Sequence, residues 1–216
     1  MPLRLYDYAA SANCLKVRLL LARLDRPYER VPVDIFAGET LMDDFARINP
    51  ARSTPVLELE SGEYLQESNA ILVHLAEGTD YLPDDPYARA QVLRWLFFEQ
   101  AALLPAIGGL RFRLMTGRLA PGSAGAERRR AAADGVLRLL DDHLQTREFM
   151  VGNRSSVADL SLFAYTHVAP EAGIELAPYP AVQAWLERVA GEPGHANDLE
   201  PYPPNSMAGA SRSIYD

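Results

Sequence analysis

Leu3-Arg4-Leu5-Tyr6, then Ser11-Ala12-Asn13-Cys14-Leu15-Lys16-Val17-Arg18, is the stretch that decides how this chain folds. Apolar and polar residues alternate in the first segment, the period of a half-buried strand. In the second, Leu15, Leu19, Leu20 and Leu24 recur at helical spacing from a start near Asn13, and Asp25-Arg26-Pro27 stops the helix because proline cannot continue it. The loop between strand and helix therefore brings a hydroxyl, an amide and a thiol to a helix N-terminus. Unpaired N–H groups and the helix dipole stabilise negative charge there. A site of this kind suits an anion such as a thiolate.

Working outward, Tyr28 to Val33 reads as a second strand, with Pro32 placing it at an edge. A loop at Gly38 and a short helix from Leu41 to Ile48 follow, stopped by Asn49-Pro50. Val56 to Leu59 and Tyr64-Leu65 are two further strands joined through Ser61-Gly62, and Glu67 to Ala76 is a helix. The order β-α-β-α-β-β-α within residues 1–77 predicts a small sheet covered by helices. Residues 78–86, with two prolines and three aspartates, read as a linker.

Residues 87–216 carry helical patterns only. Tyr87 to about Gly117 is one long pattern that Pro105 and Gly108-Gly109 should kink or interrupt. Glu127 to Thr146 is a second, Ser156-Val157-Ala158-Asp159 caps a third, and Pro180 opens a last helix running to Val189. The tail from Gly191, rich in proline, serine and asparagine, is irregular, with Tyr202 and Tyr215 as its anchors to the body.

Composition narrows the function. Of 216 residues, 48% are hydrophobic and 23% charged, a globular balance. The net charge of −8 argues against a nucleic-acid partner, since phosphate binding calls for a basic face. A single cysteine, Cys14, permits no intrachain disulfide and no cysteine-based metal site. The four histidines, His74, His143, His167 and His195, show no metal-ligand spacing, so no metal is expected. No stretch has signal-peptide or membrane-spanning character, so a cytoplasmic protein with no membrane partner is expected.

Four segments in order, Ser11-Ala12-Asn13, Ser53-Thr54-Pro55-Val56, Glu67-Ser68-Asn69-Ala70-Ile71 and Ser156-Val157-Ala158-Asp159, resemble the cytosolic glutathione S-transferases over nearly the whole chain. The chain looks most like bacterial members with a serine or threonine, any residue, then asparagine after the first strand. The resemblance implies a thioredoxin-like domain over 1–77, an all-helical domain over 87–216, a homodimer, and a role in detoxification. It also implies glutathione as co-substrate: the enzyme stabilises its thiolate and conjugates it to an electrophile.

The resemblance distributes roles over named residues. Ser11 donates its hydroxyl hydrogen to the glutathione thiolate, and the Asn13 amide assists. Lowering a thiol pKa by two units needs about 2.7 kcal/mol. A charge-assisted hydrogen bond contributes about 1.5–3 kcal/mol and a helix N-terminus about 0.3–1 kcal/mol, so no formal base is needed. Ser11 as a plain helix cap is the competing reading.

Pro55 is the family's cis-proline, turning the chain so that, beside Thr54, the Val56 N–H and C=O pair with the cysteinyl unit as an added strand. Glu67 meets the γ-glutamyl ammonium, and Ser68 with the helix N-terminus meets its carboxylate. Many relatives carry glycine and then lysine or glutamine before the proline pair. Here Arg52 and Ser53 stand there, leaving Arg52 open between binding the glycyl carboxylate and lying on the solvated surface.

Tyr8, Arg111, Phe112, Met115 and Tyr165 are candidates for a second-substrate pocket between the domains, or else core. Cys14 is open between reactive thiol and inert core residue. The competing functions are glutathione-dependent reduction of peroxides or disulfides on the same fold, and a non-catalytic glutathione-binding or regulatory protein.

Overall fold

A computed structural model describes residues 2–216. The chain divides into two compact units: one runs up to Leu75 and takes back Ala196–Asp216, the other is Ala76–His195.

The first unit is a thioredoxin-like layer of helices on a four-stranded mixed sheet. Its strands are β1 (Arg4–Asp7), β2 (Glu29–Pro32), β3 (Val56–Glu58) and β4 (Tyr64–Gln66), in the spatial order β2-β1-β3-β4. β1 pairs parallel with β2, Arg4 opposite Glu29, and antiparallel with β3, Leu5 opposite Leu57. A parallel neighbour needs a crossover, and α1 (Ala12–Arg23) supplies it. Leu15, Leu19 and Leu20 are fully buried, as the helical spacing predicts, while Leu24 is half-buried at the C-cap of α1, and Pro32 lies on the edge strand where its missing N–H costs no ladder bond. The short helix α2 (Asp43–Ile48) and α3 (Ser68–Ala76) complete the unit.

Residues 196–216, expected within the helical domain, instead pack with the sheet. The cause is electrostatic. Asp7 is buried in β1, and its two oxygens accept from Arg18 Nη1 at 2.6 Å and Arg30 Nε at 2.5 Å. Both arginines also reach Asp198 in the tail, Arg18 Nε at 2.6 Å and Arg30 Nη1 at 3.2 Å. Asp198 thus completes an alternating cluster in which each charge has opposite neighbours, the condition under which buried charges are tolerated. Tyr202 and Tyr215 both pack against Phe36, as tail anchors should, with ring centroids 6.5 and 6.4 Å away.

The second unit is helical: α4 (Pro86–Phe98), α5 (Gly109–Met115), α6 (Ala124–Leu144), α7 (Val157–Thr166) and α8 (Pro180–Ala190). The α-helical pattern is interrupted around Pro105 and Gly108-Gly109, as expected: a π-helical stretch, Glu99–Gly108, with Pro105 inside it, separates α4 from α5. Gly108 also allows close packing, since a Cβ there would lie 2.5 Å from Tyr165 Cε1. Asp141 of α6 accepts from the N–H groups of Ala181 and Val182 at 2.8 and 3.0 Å and so caps α8.

The Ser156–Asp159 capping box is present, with both carboxylate oxygens engaged: Oδ2 accepts from the Ser156 N–H and hydroxyl, Oδ1 from the Met150 N–H and Trp185 Nε1, all at 2.9 Å. Among the described residues no helix is long and apolar enough to cross a membrane, and no group of three or more His, Cys, Asp or Glu is placed to hold a metal.

Candidate functional site

Ser11 is the N-cap of α1. Its backbone is extended, and its Oγ accepts from the Cys14 N–H at 3.3 Å. Through the first turn of the helix burial alternates: Ala12 and Cys14 point into the core, while Ser11 and Asn13 stay half-exposed. The hydroxyl and amide expected to act on a thiolate therefore share the open side of this turn.

Cys14 lies beneath them with no exposure. Three elements close over its sulfur: the Tyr8 N–H after β1 donates to Sγ at 3.4 Å, and the hydroxyls of Ser11 and Thr54 hydrogen-bond to it. Burial pushes the thiol up to about 12, a neighbouring negative charge on Asp7 pushes the same way, and the three hydrogen bonds only partly oppose this. The core reading of Cys14 is the one this geometry supports. At pH 8 about one Cys14 in ten thousand is ionised, against roughly a quarter of unfolded thiols. A soluble thiol reagent is expected to label the native protein more than about a thousandfold more slowly than the urea-unfolded chain. Comparable labelling rates before and after unfolding would contradict the burial account.

The loop leading to Pro55 is held by a residue that sequence reasoning passed over. Asn49, 2% exposed, donates from Nδ2 to the Ser53 carbonyl at 2.8 Å and accepts at Oδ1 from the Ala51 N–H at 3.0 Å. Its place beside Pro50 had suggested only a helix stop. The Thr54–Pro55 bond is cis.

The expected use of the Val56 backbone requires correction. Val56 lies inside β3, opposite Tyr6 on one side and Gln66 on the other. Both flanks of that strand are occupied, so its N–H and C=O belong to the sheet. Thr54, half-exposed and outside the ladder, is the residue beside Pro55 whose backbone lies at the open end.

Arg52 has a positive φ of 55° and turns its guanidinium back onto its own unit, donating to the Thr40 and Met42 carbonyls at 3.1 and 3.4 Å. These two bonds fix its head against the chain.

Glu67 is exposed and also in the left-handed region, φ 67°, between β4 and α3. A non-glycine residue held there costs about 1–3 kcal/mol and persists only where surroundings enforce it. Next to it Ser68, 3% exposed, opens α3. Its hydroxyl lies 3.4 Å from Asn13 Oδ1, and Lys16 Nζ donates to both, at 2.9 Å to Asn13 and 3.4 Å to Ser68. The start of α1 and the start of α3 are thereby joined. The N-termini of α1 and α3 meet through Asn13 and Ser68, the hydroxyls of Ser11 and of Thr54 in the cis-proline loop meet at the Cys14 sulfur, and Glu67 directly precedes Ser68 in the chain.

The remaining candidates have structural partners. Tyr8 is buried with its ring edge-on to Phe36, centroids 5.7 Å apart. In the helical unit Arg111 is 2% exposed, with Nε donating to Glu171 at 2.7 Å, which ties up the charge expected to face a substrate. Tyr165 packs on Gly108, and Met115 is half-buried at the end of α5.

Residues 1–77 match the glutathione S-transferase N-terminal domain family, and residues 98–193 the glutathione S-transferase C-terminal domain family. Glutathione S-transferase 3 of Zea mays is 32% identical over 96% of this chain and 99% of its own. The disulfide-bond oxidoreductase YfcG of Escherichia coli is 29% identical over 89% of this chain and 92% of its own. Among solved structures, a glutathione S-transferase from Pseudomonas fluorescens superposes with a TM-score of 0.89 at 40% identity, covering 93% of this chain and all of that one. A glutathione transferase from Burkholderia graminis, with two glutathione molecules bound per subunit, has a TM-score of 0.80 at 27% identity, covering 89% of this chain and 85% of that one.

Proposed function

The chain belongs to the glutathione S-transferase family, and from that premise we propose that it is a serine-type transferase, of the kind found in bacteria, that conjugates glutathione to a small electrophile. The observation that carries this reading is the junction of the α1 and α3 N-termini through Asn13 and Ser68, with Ser11 and the cis-proline loop beside it.

In this reading the zwitterionic γ-glutamyl end lies at Glu67 and the first N–H groups of α3, where a carboxylate meets the ammonium and helix donors meet the carboxylate. The cysteinyl backbone pairs with Thr54. The sulfur lies against Ser11 and Asn13. Ser11 Oγ accepts from the Cys14 N–H and its hydroxyl rests on the buried Cys14 sulfur, a weak acceptor, so the proton turns to the incoming thiolate, the stronger one.

The glutathione thiolate attacks an electrophilic carbon, its lone pair forms the C–S bond, and the leaving group departs with its bonding pair. The enzyme supplies thiolate stabilisation and proximity, not a formal base. The protein acts as a cytoplasmic homodimer in detoxification. The test is calorimetric titration of glutathione, followed by an assay with an activated aryl halide. Binding with halide release supports the reading, and absence of glutathione binding refutes it.

The likeness to an Escherichia coli disulfide-bond oxidoreductase favours a second reading, reduction of a disulfide or peroxide by two glutathiones. With a disulfide the first thiolate forms a mixed disulfide and expels a thiolate, and the second expels the other thiolate as oxidised glutathione forms. With a peroxide the first thiolate takes up one oxygen as a sulfenic acid and expels an alkoxide, and the second displaces hydroxide to give oxidised glutathione. With Cys14 buried, this route runs through the bound glutathione sulfur. Full turnover by Cys14→Ala with a disulfide substrate, and none with the aryl halide, would select it.

A further inference from the structure

Lys16 has no solvent exposure. Fully buried lysines are rare because removing an ammonium from water is costly. It lies on the inward stripe of α1, three and four residues before the buried Leu19 and Leu20, where periodicity alone would place another leucine. Its ammonium reaches Asn13 Oδ1 at 2.9 Å, the i, i+3 neighbour on the same face, and Ser68 Oγ at 3.4 Å across the unit.

The chemistry of the two groups fixes which way the amide points. An ammonium has three donors and no acceptor, so the Asn13 atom it touches must be oxygen. The Ser68 hydroxyl, 3.4 Å from the same oxygen, adds a second donor there. Held by two donors, the amide keeps its oxygen inward and turns its NH2 group the other way. Without Lys16 the amide can flip and offer an acceptor, which repels a thiolate.

We infer that Lys16 is a positioning residue that acts through Asn13, committing the amide to donate toward the ligand sulfur and making the site selective for a thiolate. This rests on the reading that the site binds glutathione.

The experiment compares glutathione with S-methylglutathione, which keeps every other group but cannot ionise at sulfur. Lys16→Met, which preserves the apolar stem, is expected to weaken glutathione roughly tenfold and S-methylglutathione less than about twofold. In an Asn13→Ala background the effect of Lys16→Met on glutathione should vanish, because the group through which it acts is gone. Equal losses for both ligands, or effects that add in the double variant, would overturn the inference, because a lysine that merely supports the fold moves both ligands alike. Should Lys16→Met fail to fold, the wild-type protein decides. The Asn13 side-chain amide NMR signal, assigned by its disappearance in Asn13→Ala, should shift with glutathione and stay with S-methylglutathione. An unmoved signal at saturating glutathione sinks the inference. Wild type that binds neither ligand sinks the underlying reading instead.

Discussion

Ser11→Ala is expected to lower kcat/KM for conjugation by about ten- to a hundredfold and to weaken glutathione up to about tenfold, while changing S-methylglutathione affinity less than about threefold. The lost group is one charge-assisted hydrogen bond, about 1.5–3 kcal/mol, made to the thiolate and not to the rest of the tripeptide. The bound thiol should then titrate about one to two units higher, visible in thiolate ultraviolet absorbance against pH. The sign follows directly. A higher thiol pKa leaves less thiolate at neutral pH, so the variant's deficit shrinks as pH rises past its new pKa.

Ser11 also caps α1, and removing a cap costs about 0.5–2 kcal/mol of stability. Ser11→Asp separates the two roles. Aspartate caps the Cys14 N–H equally well but places a negative charge against the sulfur. Stability should be kept and activity should fall below that of Ser11→Ala. Activity restored by aspartate would show that the cap alone matters.

The second large effect concerns stability. Asp159→Ala is expected to cost about 3–5 kcal/mol, read as a lower urea midpoint for the helical unit. Asp159 is fully buried and accepts four hydrogen bonds, from the Met150 and Ser156 N–H groups, the Ser156 hydroxyl and Trp185 Nε1. Burial pushes its carboxyl up and those donors pull it down. Alanine leaves the donors in a dry core without an acceptor, and an orphaned buried donor costs about 1–3 kcal/mol. Asp159→Asn keeps the shape but turns an NH2 group toward donors, so it too should destabilise, by about 2–3 kcal/mol. A loss below about 1 kcal/mol for both variants would mean that packing around Trp185 and Met150, rather than these bonds, holds α7 and α8 together.

Whatever depends on residues close in sequence could be read from the chain. The alternation of Leu3 to Tyr6, the leucine spacing from Leu15, the stop at Pro27 and the capping box at Ser156 each express local geometry, so element order and class followed. The family resemblance placed Ser11, Asn13, Thr54, Glu67 and Ser68 in one unit, where Asn13 and Ser68 meet.

Tertiary structure decided the rest, because it turns on partners far apart in sequence. Arg52 faces the carbonyls of residues 40 and 42. Val56 belongs to the sheet because β3 has a neighbour on each side. Residues 196–216 join the first unit because Asp198 completes the charge cluster begun by Asp7, Arg18 and Arg30. Lys16 gains its meaning from a serine fifty-two positions away. Periodicity and capping are short-range signals that fix secondary structure. A buried charge is tolerated only where the whole fold brings its partners within hydrogen-bond distance, and no local pattern announces that distance.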